Sequence, residues 1–272
     1  MTIEQLKKRK DYLDNILILI SFLLLIAISI GLAVHWFFLI ALLIALFFIP
    51  HQLAYKKLKL DFKNHHVKKM IDSIIPGLTY VPEKGFDENE VFESKVLKKF
   101  TTYKSEDYLS GTIKGKSFES ADVRIEQVVS NGKTTTRIIR FLGRLFILDF
   151  QKKFENDVYI STDKIHNQSI FSNDKKVKTE SIEFNKKFSV FSESQHSAFY
   201  LLTPRFMERL ESFSTIAKHV MFAFKDNKVY IALHTERDAF DIKYSDTIDV
   251  NYIEFVKEEL KLLEDLVAFI PQ

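Results

Sequence analysis

Between residues 15 and 49 the chain carries no Asp, Glu, Lys or Arg, and nearly every position is Ile, Leu, Phe or Ala. As one helix such a run would be about 52 Å long, against a hydrocarbon core of about 30 Å. Two spans fit better, residues 15–32 and 36–55, broken at Gly31-Leu32-Ala33-Val34-His35. Pro50 falls inside the second span and predicts a kink in its last turn. The run is too long for the core of a cleavable signal peptide, and no small-x-small cleavage site follows it.

The flanks orient the pair. Lys7, Lys8, Arg9 and Lys10 precede the first span; Lys56, Lys57, Lys59, Lys63, Lys68 and Lys69 follow the second; the central turn has neither Lys nor Arg. Basic flanks favour the cytoplasmic side, so the pattern predicts a multi-pass protein of the cell membrane with both termini cytoplasmic. Trp36 suits the outer interface, Tyr12 and Tyr55 the inner one.

The charge is unevenly spread. Residues 1–69 hold ten Lys/Arg against four Asp/Glu, and residues 70–272 hold 29 against 32. The basic excess is therefore a collar beside the apolar run. Lys7, Lys8, Arg9, Lys10, Lys56, Lys57, Lys59 and Lys63 are its candidate contacts with anionic lipid headgroups, each worth about 1 kcal/mol near a charged surface. A topology signal on a solvated helix explains the same residues. Neither reading calls for nucleic acid, and the overall charge of +3 does not either.

Beyond the collar, Leu58, Phe62, His66 and Met70 recur at helical spacing until Pro76-Gly77 stops the helix. A short helix is expected around residues 88–100. From about Lys116 the period becomes two: Phe118, Val123, Ile125 and Val128 lead to a type I′ turn at Ser130-Asn131-Gly132-Lys133. A return strand runs from Thr134 toward Phe150, with Gly143 as a bulge or close-approach point. Further strands are read at 158–160, 182–191, 220–225 and 228–234, the last two joined through Asp226-Asn227. Ser192-Glu193-Ser194-Gln195 reads as a capping box opening a helix to Leu202. Thr203-Pro204 reads as an N-cap with proline at the first helical position of a helix to about Lys218. A last helix spans 250–270.

Hairpins with helices gathered between them predict an α+β fold. The chain divides into a basic N-terminus (1–14), a transmembrane hairpin (15–55), a basic juxtamembrane helix (56–75) and one cytoplasmic domain of antiparallel strands with packed helices (76–272). The 26 phenylalanines are expected in its core.

Catalytic constellations are scarce. With no cysteine there is no thiol nucleophile, thiolate metal site or disulfide frame. Gly111 to Ser117 ends in Gly-Lys-Ser, but the first glycine of a phosphate loop would fall on Ser110, and the flanks are those of a turn. His65-His66 point to different helix faces, and His196, His219 and His234 stand near element ends as packed or exposed residues. No cofactor or metal is expected. Asp149 interrupts an apolar strand and, with Lys152, is the candidate polar site. The plainer reading pairs its carboxylate with backbone, Lys152 or Arg144.

Three stretches resemble the bacterial family known as domain of unknown function 3137, whose members are sometimes labelled galanin. They are Phe141 to Phe154, Phe184 to Ser192, and Tyr200 to Leu210, the Leu-Thr-Pro block at 202–204 being the most specific. Where this chain has Asn156, Ser194 and Phe199, the family tends to carry glycine, an acid and arginine. The resemblance implies a membrane hairpin followed by one soluble domain and brings no established activity. Two functions follow as expectations. One is a membrane-anchored cytoplasmic module, not an enzyme, binding a protein partner or the lipid surface. The alternative is an enzyme acting on a lipid or membrane-adjacent substrate, with Asp149 as its acid.

Overall fold

The computed structural model describes residues 3–31, 37–150, 153–163, 175–215, 217–238 and 240, and near the C-terminus 254, 257, 258, 260, 261, 264, 265 and 267. The chain forms two compact units, Met1–Ile74 with Phe240–Glu258, and Ile75–Ala239 with Glu259–Gln272. The fold is α+β, with one large antiparallel sheet and helices.

The first unit contains α1 (Ile3–Gly31) and α2 (Phe37–Phe62), a π turn (Lys63–Val67) and α3 (Lys68–Ile74). Leu6, Leu13 and Ile20 recur every seven residues of α1 and are buried, as are His51, Tyr55, Leu58 and Phe62 of α2. Arg9 pairs with Asp61 at 3.1 Å and the His51 ring meets the Leu13 carbonyl at 2.6 Å, so the helices run antiparallel. The opposite face of α1 is bare: Ile18, Leu19, Phe22 and Leu25 are 57–67 % exposed. Among the described residues no helix is long and apolar enough to cross a membrane. Residues 32–36, including Trp36, and the side chains of 37–47 lie outside those described. Of the two tyrosines expected at an interface, Tyr12 is exposed, but Tyr55 is buried beside His51.

The second unit is a sheet of order β1-β2-β3-β4-β9-β8-β5-β7-β6. Its strands are β1 (Thr79–Val81), β2 (Thr102–Ile113), β3 (Lys116–Ser130), β4 (Thr135–Asp149), β5 (Val158–Ser161), β6 (Lys175–Val177), β7 (Ser189–Ser192), β8 (His219–Lys225) and β9 (Lys228–His234). Its short helices are α4 (Glu88–Glu93), α5 (Ile182–Lys187), α6 (Gln195–Leu201) and α7 (Pro204–Phe213). Alternation sorts the two faces. Val123, Ile125, Phe141, Leu145, Met221 and Ala232 form one core, onto which Val91, Val96 and Leu97 pack. Phe118, Phe146, Leu148, Phe222 and Phe224 turn to the other face, where Phe206 of α7 meets Phe224 edge-on at 5.9 Å.

Several expectations are corrected. β2 is a full strand where only polar sequence and a turn were read; the turn is Lys114-Gly115, both at positive φ, joining β2 to β3. The β3–β4 connection is a longer loop than a type I′ turn, held by Asn131 Oδ1 accepting from the amides of Lys133 and Thr134. The segment 182–191 is not one strand: Ser181 caps α5, which sets Phe184 and Phe188 face to face at 4.7 Å, and only then does β7 begin. The cap of α6 is Ser194, accepting from the Ser197 amide, whereas Ser192 ends β7 and its hydroxyl donates to the Asp157 carbonyl. Helix α4 stops at Glu93, because Lys95 turns left-handed and drops Val96 and Leu97 onto the sheet. Thr203 caps α7 as expected, with Pro204 at its start, and α7 ends at Phe213. The eight described residues of the last helix are all helical, and of them Leu260 and Val267 are buried.

Candidate functional site

Two constellations stand out in the sheet unit, one on each face. On the first face, where β3, β4, β8 and β9 reach the same end, a cleft of about 250 Å³ opens. Ile125, Phe141 and Met221 come from the strands, Leu97 and Phe100 from the segment after α4, and His219 and His234 stand opposite each other across the β8–β9 hairpin. The two rings stack with centroids 5.8 Å apart. Lys98, Arg140, Lys218 and Asp163 supply the charge.

His234 is nearly buried, and its Nδ1 accepts a 3.0 Å hydrogen bond from the Leu142 amide. That bond puts the ring proton on Nε2, 3.9 Å from the Glu236 carboxylate. A second proton would have to displace the Leu142 amide. Burial first, then the charge on His219, lowers the His234 pKa from its ordinary 6.5. A base whose folded pKa is depressed stabilises the fold above its unfolded value and loses that contribution as pH falls below it. The His234 contribution to stability should therefore be flat above about pH 7 and fall away as pH drops below the ordinary histidine range. His234→Asn, which retains an acceptor for Leu142, should flatten that decline. An NMR titration placing the His234 ring at or above 6.5 would sink this account.

On the second face the register sets Asp122 of β3 opposite Arg144 of β4. Both are buried, and the Arg144 guanidinium donates to Asp122 Oδ1 at 3.1 Å, to Ser120 Oγ at 3.2 Å and to the Asp107 carbonyl at 2.8 Å. Asp107 lies in a bulge of β2 at φ 59° and is fully buried. Its amide donates to the Pro82 carbonyl rather than to a neighbouring strand, and Tyr80 of β1 donates its hydroxyl to the Asp107 carboxylate. Bulges re-aim side chains in this way, and aspartate tolerates the left-handed backbone better than most residues. Asp238 completes a trio whose carboxylate oxygens lie within 4.8 Å of one another.

An all-oxygen trio is the donor set that hard cations take, but Arg144 already places a positive charge there. Burial pushes the Asp122 carboxyl well above the usual range against the opposing pull of Arg144; Asp238 and Asp107 add to the rise. Asp122 and Asp238 are hydrogen-bonded, which two carboxylates can do only by sharing a proton. Burial first and the Asp107 charge next push the Tyr80 phenol up, so it remains a donor. The cluster is an interior polar clasp holding β1, β2, β3 and β4 in register.

The residues singled out from sequence are scattered. Asp149 is exposed at the far end of β4, opposite Lys228, while Gly143 and His234 mark the cleft end. Six residues of strand separate the two places, about 20 Å. Lys152 lies outside the described residues. Arg144 serves Asp122 rather than Asp149. In the collar, Lys7, Lys8, Lys56 and Lys57 are exposed, but Lys10 and Lys63 are 5 % and 4 % exposed and are not surface cations. Lys10 pairs with Asp14 at 2.8 Å, Arg9 is tied to Asp61, and Lys59 sits over the Tyr55 ring. Among the buried polar residues, Asp107 and Asp122 were not singled out from the sequence, and Arg144 was read only as a possible partner of Asp149. The one available signal was a run of charges within strand-like alternation on β3.

The family described as Protein of unknown function (DUF3137) matches residues 139–271. No curated protein matches the chain. Among solved structures, the crystal structure of the mycobacterial trehalose monomycolate transport factor A, TtfA, is 12% identical at a TM-score of 0.36, covering 77% of this chain and 97% of that one, a likeness too distant to carry over a function. The matched region starts within β4 and takes in the Leu202-Thr203-Pro204 turn with its capped helix, as well as the β8–β9 hairpin with both cleft histidines. Over residues 139–271 the chain is similar to the DUF3137 family of proteins of unknown function.

Proposed function

We propose that the chain is a membrane-anchored binding module: α1 and α2 form a hairpin held in the bilayer of the cell membrane, and the sheet unit works on the cytoplasmic side. The observation that carries this reading is the bare apolar face of α1, with Ile18, Leu19, Phe22 and Leu25 all more than half exposed. An exposed apolar stripe of this kind is an interaction surface. The hydroxyls within it are already spent: Ser21 and Ser29 each donate to the carbonyl four residues back, at 2.9 Å. Side chains that satisfy themselves along the helix are what a hydrocarbon environment demands. Lys7, Lys8, Lys56 and Lys57, exposed just beyond the apolar stretch, are the collar residues left to meet anionic headgroups.

The enzyme reading has less support, because Asp149 is solvent-facing and removed from the cleft. What the module binds is a protein partner, a lipid headgroup or a small ligand in the cleft.

The absence of cysteine makes topology mapping free of background. Ala33→Cys in intact cells should react with a membrane-impermeant maleimide, and Lys8→Cys and Lys178→Cys only after permeabilisation. The chain should stay with the membrane through high salt and alkaline carbonate and leave with detergent. Release by salt alone, or equal labelling of all three positions in intact cells, would overturn the anchor.

A further inference from the structure

The histidine cleft sets apolar core residues beside charged side chains. Its floor is apolar, with Phe141 and Met221 from the core, and Ile139 is left 46 % exposed at its mouth. Lys98 and Arg140 converge on the Phe100 ring, at 5.1 and 5.4 Å from its centroid. The Arg140 guanidinium spends two donors on the neutral Gln127 Oε1, at 2.9 and 2.6 Å. Among the described residues neither cation has a carboxylate within ion-pair distance. The third cation, Lys218, is engaged by Glu236, and among the described lining residues Asp163 is the one carboxylate. Two uncommitted cations beside an apolar hollow are complementary to a ligand that is apolar at one end and anionic at the other.

We propose that this cleft binds a single-tailed amphiphile with an anionic head, its tail against Phe141 and Met221 and its head on Lys98 and Arg140. The inference deepens the binding-module reading by naming the ligand class. Size restricts the tail: 250 Å³ is about eight water volumes, room for a chain of about eight carbons and too little for a two-tailed lipid. Stacking on Phe100 holds both cations at the mouth, so the head is met by charges already in place.

The test is a titration of the full chain in detergent, followed at the ring signals of His219 and His234, which only a ligand in the cleft would move. Octanoate should give saturable shifts and bind about 10-fold or more tightly than butyrate, since each buried methylene counts. Octanol should bind about 10-fold more weakly than octanoate, and inorganic phosphate should leave the rings unmoved. In the double variant Lys98→Gln/Arg140→Gln, octanoate should fall to the affinity of octanol, with octanol unchanged. Equal affinity of octanol and octanoate in the unaltered chain would overturn the anionic head. Phosphate shifting the rings as octanoate does would overturn the tail, and silence with every probe would overturn the site. The titration does not depend on attachment: a chain released from membranes by salt would refute the anchor and leave the cleft result standing.

Discussion

Arg144→Met is expected to destabilise the sheet unit by about 3–5 kcal/mol at neutral pH, the usual cost of stripping one partner from a buried ion pair. The substitution keeps the apolar stem and removes three donated hydrogen bonds, to Ser120, Asp122 and the Asp107 carbonyl. The loss should depend on pH in a specific direction. In the intact chain burial raises the Asp122 pKa and Arg144 opposes the rise. Without Arg144 only burial, Asp238 and Asp107 act, all of them upward. A carboxyl whose folded pKa is raised contributes stability that is present below its unfolded value and lost as pH rises through the folded one. The variant should therefore recover part of its deficit as pH falls from neutral into the acid range, because Asp122 then takes up a proton and no longer needs a counter-charge. Adding Asp122→Asn should recover part of the stability at neutral pH as well, since the cluster then holds one carboxylate fewer that lacks a counter-charge. Chemical denaturation followed by near-ultraviolet circular dichroism reads all three states. A loss that is the same at neutral and acid pH, or one under about 1 kcal/mol, would mean that the clasp is solvated and does not hold the strands.

How much of this was visible in the sequence depends on the range of the interactions concerned. Thr203 and Pro204 state a helix start within three residues, and the structure has it there. The β8–β9 hairpin was legible for the same reason, its two apolar runs and Asp226-Asn227 being adjacent. Local signals misled where two readings share residues. Ile182, Phe184, Phe188 and Val190 fit a period of two, but Phe184 and Phe188 are also one helical turn apart, and the Ser181 cap decides for the helix. Ser192 and Ser194 are equally good caps on paper; the pairing of Ser192 with Val158 of β5 takes it out of contention. The clasp is a different matter. Asp107 reads as a surface acid in a polar stretch, and only the bulge opposite Ala121 turns it inward. Likewise His219 and His234 are fifteen residues apart, and only hairpin register makes them neighbours. Both sites are products of strand pairing, to which the composition of a single segment is blind.

Gly143→Ala is expected to be a strongly damaging one-carbon change, costing about 3 kcal/mol or more. An ideal Cβ at this position would fall 2.0 Å from the Leu233 carbonyl oxygen and 2.9 Å from the Thr235 amide. Both obstacles are backbone, so no rotamer change relieves them. Room can come only from parting β4 and β9, which pair at this point through Gly143 and His234. Gly115 is a useful contrast: its φ is +79° but nothing stands within 4 Å of a Cβ there, so Gly115→Ala meets only backbone strain of about 1–2 kcal/mol. Contact, not conformational preference, should therefore rank the two variants. The damage at Gly143 should also be local before it is global. Parting the strands loosens the Leu142 amide from His234 Nδ1, which removes one of the restraints against protonating that ring. In hydrogen exchange, amides of β9 should lose protection ahead of those of the β2–β3 pair, and the His234 pKa should move back toward its ordinary value. If Gly143→Ala costs no more than Gly115→Ala, β4 and β9 have slack between them, and the cleft is wider at its root than the close approach at Gly143 allows.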